Sequence, residues 1–490
     1  RGECDKTEQI ASIGRDEEDD YFKVKDSFIL RTFARSTSTE LSLELILEVV
    51  FHHHHFYYIM FGIGAAKRAS LTARSINHFA GGGKRKATRK DLDKYDLVIV
   101  GANLGGIFSR HIDHVTHGKL NTMVCLDSNI NQQYVMRNIY EQEGIRIGDV
   151  DPQERVRTLR QDVHQYVQRP LLGVGVDKFF PGENQIQLRN GRKIKYDYLV
   201  LAMGQKDNME SIKGFEDAWI DPEHPFFVAK DHPSWRTSVN KPYRWHYNFR
   251  GGNAYVYIPP APFHGEIECY NFFLSKYIWN WFNFNGKLTW DNSHLTIINA
   301  NDTFCKYLDK ADKFIKDECA KRNINIEYGL KLVEINKVRS KLIQAKQTTI
   351  FEDIKTGQRV EKQYNSFYSL VPAKPHENLI EAGLTAEDGF LNVDHQTLQH
   401  KKYNNIFGIG DVNSLPTSKT FFGGFSQISV VRNNIERMLK GIFIIDSGLP
   451  LNGIYDGFSE APLILAQDQL TWVQHSYDQK EGWQNLMGTS

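Results

Sequence analysis

Residues 95–106 read YDLVIVGANLGG, and the order of these residue types decides the fold. Tyr95–Val100 is a short run without polar interruption after Asp96, as expected of a strand buried on both faces of a parallel sheet. Glycines follow at 101, 105 and 106, and then IFSRHIDHV (107–115) has the character of a helix. Residues 121–127, NTMVCLD, give a second strand that closes a unit of about thirty residues, the length of a strand-helix-strand repeat.

A strand, a glycine-rich turn, a helix and a strand ending in an acid describe a nucleotide-binding unit. Gly101 permits the tight turn, and Gly106 is expected to let the helix approach the strand. The free N–H groups at the helix start suit a pyrophosphate. Asp127, 21 residues after Gly106, suits a ribose hydroxyl. The middle glycine of the G-x-G-x-x-G pattern is Asn103 here. Its side chain weakens the case for a bound dinucleotide.

Working outward, YDYLVLAMG (196–204) is another buried strand ending in glycine, and YNNIFGIGD (403–411) ends on Gly410-Asp411. Between them AYVYI (254–258) opens a second strand-turn-helix, but its turn, PPAPFHG (259–265), holds three prolines. Proline has no N–H to offer a phosphate, so this unit is expected to bind no NAD(P). LTIINAND (295–302) and 303–322 would be its next strand and helix. The expected class is α/β, with two Rossmann-like units of the FAD/NAD(P)-linked reductase kind, the first of them discontinuous. The chain divides into 91–210 and 371–460 for the first unit, 211–370 for the second, and a short tail at 461–490.

The whole chain has 490 residues with a net charge of +1, which gives no reason to expect a nucleic-acid partner. Residues 61–90 hold eight Lys or Arg and no acid, so 60–90 is read as a mitochondrial transit peptide, with a basic linker as the alternative. Residues 1–59 fall outside the expected mature protein. No run there is long enough and free enough of charge to span a bilayer. Five cysteines without a C-x-x-C pair argue against a disulfide scaffold or a zinc site. No metal site is expected: His52–His55 and the trio His111, His114 and His117 lack supporting ligands. NFFLSKYIWNWFNFNGKLTW (271–290) is either a core-facing helix or an exposed docking face.

Together with NVDHQTLQHKKYNNIFGIGD (392–411), SLPTSKT (414–420) and YDGF (455–458), these pieces resemble the mitochondrial-type sulfide:quinone oxidoreductases over roughly 93–465. The resemblance implies FAD, held by Gly101, Asn103, Gly105, Gly106, Asp127, Ala202, Gly204, Gly410 and Asp411, with Lys419 by the flavin or quinone. A capped helix start at Ser418 would explain Lys419 and its neighbours equally well. Family members oxidise sulfide through two cysteines beside the flavin, and the matching positions are Gly265 and Val412. Cys269 lies four residues too far to substitute, and Val412 has no replacement thiol. No residue is left to which catalysis is assigned; His264 and Glu266, which could do acid–base work near a flavin, are read as turn residues. The resemblance also leads one to expect membrane-embedded C-terminal helices, and DQKEGWQNLMGTS lacks their character. The expectation is a mitochondrial accessory or scaffold protein, part of a complex, without sulfide oxidation. The alternative is a working FAD oxidoreductase whose donor needs no thiol relay.

Overall fold

The structure is a computed structural model and describes residues 93–101, 103–116, 120–125, 169–171, 174–221, 223–228, 245, 249–263, 265–267, 270, 272–284, 293–336, 347–439, 451–466 and 469–478. The transit-peptide and upstream segments, Asp127, His264, Cys269 and His117 lie outside the described residues.

The opening stretch forms β1 (Lys94–Val100), α1 (Asn103–Thr116) and β2 (Thr122–Cys125). β1 pairs in parallel with β2 on one side. The sheet continues with β3 (Arg169–Leu171), β4 (Val176–Phe180), β5 (Gln185–Leu188) and β6 (Lys193–Leu201), in the order β3-β2-β1-β6-β5-β4. Alternation along β1 explains why it must be central. Leu97 and Ile99 pack with Phe108 and Ile112 of α1, while Val98 and Val100 join Ile186, Ile194 and Leu199 on the other face. All four β1 residues are buried. Burying a side chain of this size contributes about 1.5–3 kcal/mol.

The second sheet is parallel throughout. It comprises β7 (Phe226–Val228), β8 (Gly252–Ile258), β9 (Ser293–Asn299), β10 (Asn325–Tyr328) and, later in the chain, β14 (Ser366–Ser369), in the order β10-β9-β8-β14-β7. An antiparallel sheet of β11 (Leu330–Asn336), β12 (Gln347–Asp353) and β13 (Arg359–Tyr364) stands between β10 and β14 in sequence.

α2 (Phe272–Phe284) resolves the aromatic stretch toward the core: Phe272, Phe273, Leu274, Ile278 and Trp279 are buried, and Trp279 meets Trp245 at 4.9 Å between ring centroids. The next helix, α3 (Asp309–Lys321), begins six residues later than expected from 303. The intervening turn is held by Asp312, whose carboxylate accepts the Phe304 N–H at 2.7 Å. A side-chain acceptor there offers the backbone an alternative to a helical turn.

The chain then returns to the first sheet. β15 (Ile406–Gly408) pairs in parallel with the last three residues of β6, Leu199–Leu201, so the first unit is discontinuous as expected. α4 (Phe421–Leu439) covers it, with Ile428, Val431 and Ile435 against Leu97 and Ile99. The stretch read as a tail contains a hairpin, β16 (Ser459–Ala466) and β17 (Gln469–His475), with Leu463, Ile464 and Val473 buried in the same cluster as Phe272 and Trp279.

Two glycines show what the nucleotide-type turn demands. Gly101 has φ +108°, and a Cβ there would lie 2.1 Å from the Ala202 carbonyl oxygen. A close helix–strand approach falls at Gly105. Gly105 is buried and a Cβ on it would come 2.9 Å from Ile99 Cγ2, whereas Gly106 is only half-buried. Replacing Gly101 by Ala is expected to destabilise the fold by about 3 kcal/mol or more, because strain and overlap add. Gly182→Ala, where nothing lies within 4 Å, should stay within about 0.5 kcal/mol in the same denaturant titration.

Candidate functional site

The carboxyl ends of β1, β6 and β15 bring the predicted residues together. Gly101 lies against Ala202, and the Ala202 N–H donates to the Val100 carbonyl at 2.7 Å. Leu104, in the first turn of α1, reaches across to the third strand end: a Cβ at Gly410 would come 2.7 Å from its Cδ1, and one at Gly424 2.5 Å. Asn103 is the first residue of α1. Gly204 has φ +66° and opens onto free space.

Beyond Gly410 the chain runs through a buried polar loop. The Gly410 N–H donates to Gln427 Oε1 at 2.8 Å, and the same oxygen accepts Asn413 Nδ2 at 3.2 Å. Lys419 is buried and does not project outward. Its Nζ donates to the carbonyls of Asp411 (2.7 Å) and Asn413 (2.8 Å) and lies 4.3 Å from the Phe390 ring centroid. Burial lowers its pKa, and Asp411, Glu266 and Asp388 act in the opposite direction. The cap of α4 is Thr420 rather than Ser418, for Thr420 Oγ1 accepts the Gly423 N–H at 3.1 Å. Ser418 instead faces His475, whose Nε2 lies 3.3 Å from the Ser418 N–H nitrogen and 3.1 Å from its Oγ. Burial pulls His475 down to about 4, so the ring is neutral near pH 7.

The second unit meets this loop at one turn. Gly265, φ +68°, donates its N–H to the Lys419 carbonyl at 2.9 Å, and the Lys419 N–H reaches Glu266 Oε2 at 3.4 Å. Burial pushes the Glu266 carboxyl up to about 7 against the pull of Lys419. Asn301 fixes the rest of the turn, accepting from the Ala261 N–H and donating to the Pro259 carbonyl, both at 2.8 Å. Val412 is buried among Leu384, Leu391 and Val393. Cys305 and Cys319 are free and buried; desolvation raises both thiols, Cys319 to about 12. Thiols so protonated are poor nucleophiles. Among the described residues no cluster of three or more His, Cys, Asp or Glu has the geometry for a metal ion.

Residues 95–228 match the model of the pyridine nucleotide-disulphide oxidoreductase family. The mitochondrial sulfide:quinone oxidoreductase of Schizosaccharomyces pombe is 26% identical over 309 residues, 62% of each chain. The chain is similar to the sulfide:quinone oxidoreductases, as a divergent relative. The match thus spans under two thirds of this curated relative. The sulfide:quinone oxidoreductase of Aquifex aeolicus has the same fold, with a TM-score of 0.55 at 16% identity over 78% of this chain and 87% of that one. A chain in the cryo-EM structure of the Tetrahymena thermophila mitochondrial ATP synthase is more similar: 43% identical, covering 82% of this chain and 91% of that one, with a TM-score of 0.72.

The family implies a flavin. Here, several donors at the converging strand ends already have acceptors within the chain: Gly410 N–H on Gln427, Ser418 N–H on His475, Lys419 N–H on Glu266 and Lys419 Nζ on two carbonyls. The cavity lined by Gly410, Asp411, Ser418, Lys419 and Gln427 has a volume of about 10 Å3, room for about one water. At the loop around Lys419, then, the donors are spent within the chain and the cavity does not admit a flavin ring.

Sequence motifs find Gly410-Asp411 and Lys419 because they sit in compact signatures. They miss Gln427 and His475 and give Glu266 as a turn residue; the three meet the same loop from positions up to 153 residues away along the chain. Gln427→Leu removes the shared acceptor of Gly410 and Asn413. The expected loss is about 2 kcal/mol or more in chemical denaturation, the cost of two buried donors left unpaired.

Proposed function

We propose that this chain is a non-catalytic accessory subunit, built on the sulfide:quinone oxidoreductase fold and associated with the mitochondrial ATP synthase. One observation carries the reading: identity is 43% to a chain within the Tetrahymena ATP synthase structure but 26% to a curated sulfide:quinone oxidoreductase. The residues at the family's two cysteine positions agree with it. Gly265 and Val412 supply no sulfur, and capture of sulfide followed by electron transfer through a disulfide requires thiolates. The buried Cys305 and Cys319 do not make up the loss. Mitochondrial placement is supported by the acid-free basic segment 61–90 and by the names of the relatives. No helix among the described residues is long and apolar enough to cross a membrane.

A second reading, an active FAD oxidoreductase with a donor that needs no thiol relay, is favoured by retention of Gly101, Gly105 and Gly410-Asp411. The two readings part in one experiment. Mitochondria expressing a tagged chain are solubilised gently and resolved on a native gel, and the purified chain is assayed for quinone reduction with sulfide and, separately, with a panel of other two-electron donors. The expected outcome is co-migration with the ATP synthase and no quinone reduction above a protein-free control. Migration away from that complex would overturn the accessory reading, and turnover with any reductant would establish the rival.

A further inference from the structure

The place where the resemblance puts two cysteines and a flavin ring is bridged here by the protein itself. From the second unit, Gly265 donates to the Lys419 carbonyl and Glu266 accepts the Lys419 N–H. The Glu266 carboxyl also hydrogen-bonds the Ser418 side chain. Ser418 is backed by His475, and its carbonyl accepts from Ser459 Oγ at 3.2 Å. The Lys419 ammonium closes the other side on the Asp411 and Asn413 carbonyls. Turn 265–267 and segment 411–420 thus bond to each other directly, and Gly265 is itself one end of the bridge.

We propose that this chain completes its fold without a flavin, the Glu266 carboxyl with Ser418 and Lys419 joining the two nucleotide-type units where the family places the ring. A planar cofactor between these turns would have to break the Gly265–Lys419 and Glu266–Lys419 bonds. Any ligand would have to compensate for the donors and acceptors so exposed.

Protonation gives the bridge a signature. The groups facing Glu266 are Lys419 and Ser418 from the loop before α4, Asp411 from the turn after β15, and Cys305 and Tyr307 from the segment before α3. Asp388 acts on Lys419, and neutral His475 on β17 backs Ser418. Held at about 7 against an ordinary 4.5, the folded Glu266 keeps a proton that the unfolded chain has released. Its contribution to stability is therefore full below pH 4.5 and is lost as pH rises through 7.

The test uses the full chain, purified without added flavin, so its outcome is independent of any assembly partner. The chain is expected to be colourless. Excess FAD should leave its melting temperature unchanged, since a ligand that binds only the folded state must raise it. The difference in melting temperature, wild type minus Glu266→Gln, should fall steadily between pH 4.5 and 7. Flavin retained stoichiometrically, an upward shift with FAD, or a difference flat with pH would each overturn the proposal. If Glu266→Gln does not fold, Ser418→Ala replaces it. That change removes a hydrogen bond favouring the ionised carboxylate, so the pH at which stability falls must move upward, and an unmoved break overturns the bridge equally.

Discussion

A methyl group on residue 101 would stand 2.1 Å from the Ala202 carbonyl oxygen, and that closeness governs how the first unit is assembled. The turn after β1 has to pass under the chain leaving β6, so only glycine serves, with φ +108°. From there Leu104 reaches Gly410 and Gly424, so one side chain ties the turn after β15 to the start of α4. Gly101 and Gly410 are the residues one would cite for a dinucleotide site. Both are also demanded by contacts inside the protein, independent of any ligand. This is how a chain can keep a cofactor-binding pattern while losing the use of it.

The buried loop that follows shows how polar groups are accommodated where chemistry occurs in relatives. A lysine ammonium away from water is costly unless its charge is met by good acceptors. Here two carbonyls and an aromatic face supply them, and carboxylates at 266, 388 and 411 offset part of the desolvation. Thiols at 305 and 319 are the reverse case, sealed in apolar surroundings and held protonated. Burial pushes Lys419, Glu266, His475, Cys305 and Cys319 alike toward their uncharged forms.

The fold was legible because β1, β6, β8 and β9 each end in a buried, largely apolar run, and a strand buried on both faces has few alternatives. Their connections were less so. Nothing local announces that 304–308 will be claimed by the Asp312 side chain, or that the aromatic stretch 272–284 turns inward onto Trp245, 27 residues upstream of its start. At the site the motif residues Gly410, Asp411 and Lys419 could be named. The direction of the Lys419 ammonium could not, since it depends on carbonyls six and eight residues back in a loop without regular structure. Gln427 and His475 were illegible for the same reason, and so was the meeting of Glu266 with Ser418 and Lys419: it is a product of the tertiary fold.

β6 has one further implication, for synthesis on the ribosome. Its first three residues, Lys193–Lys195, carry β5, and its last three, Leu199–Leu201, carry β15 along the same edge. The second half of that edge has no neighbour until residues 406–408 emerge, some two hundred residues later, with the whole second sheet made in between. Until then Val200 and its flanking amides form an open template on which another nascent chain can zip. A message truncated between residues 370 and 405 would yield a polypeptide with the second sheet finished and the first exposed along the apolar end of β6. Such a product is a substrate for chaperones and proteases rather than a smaller working protein.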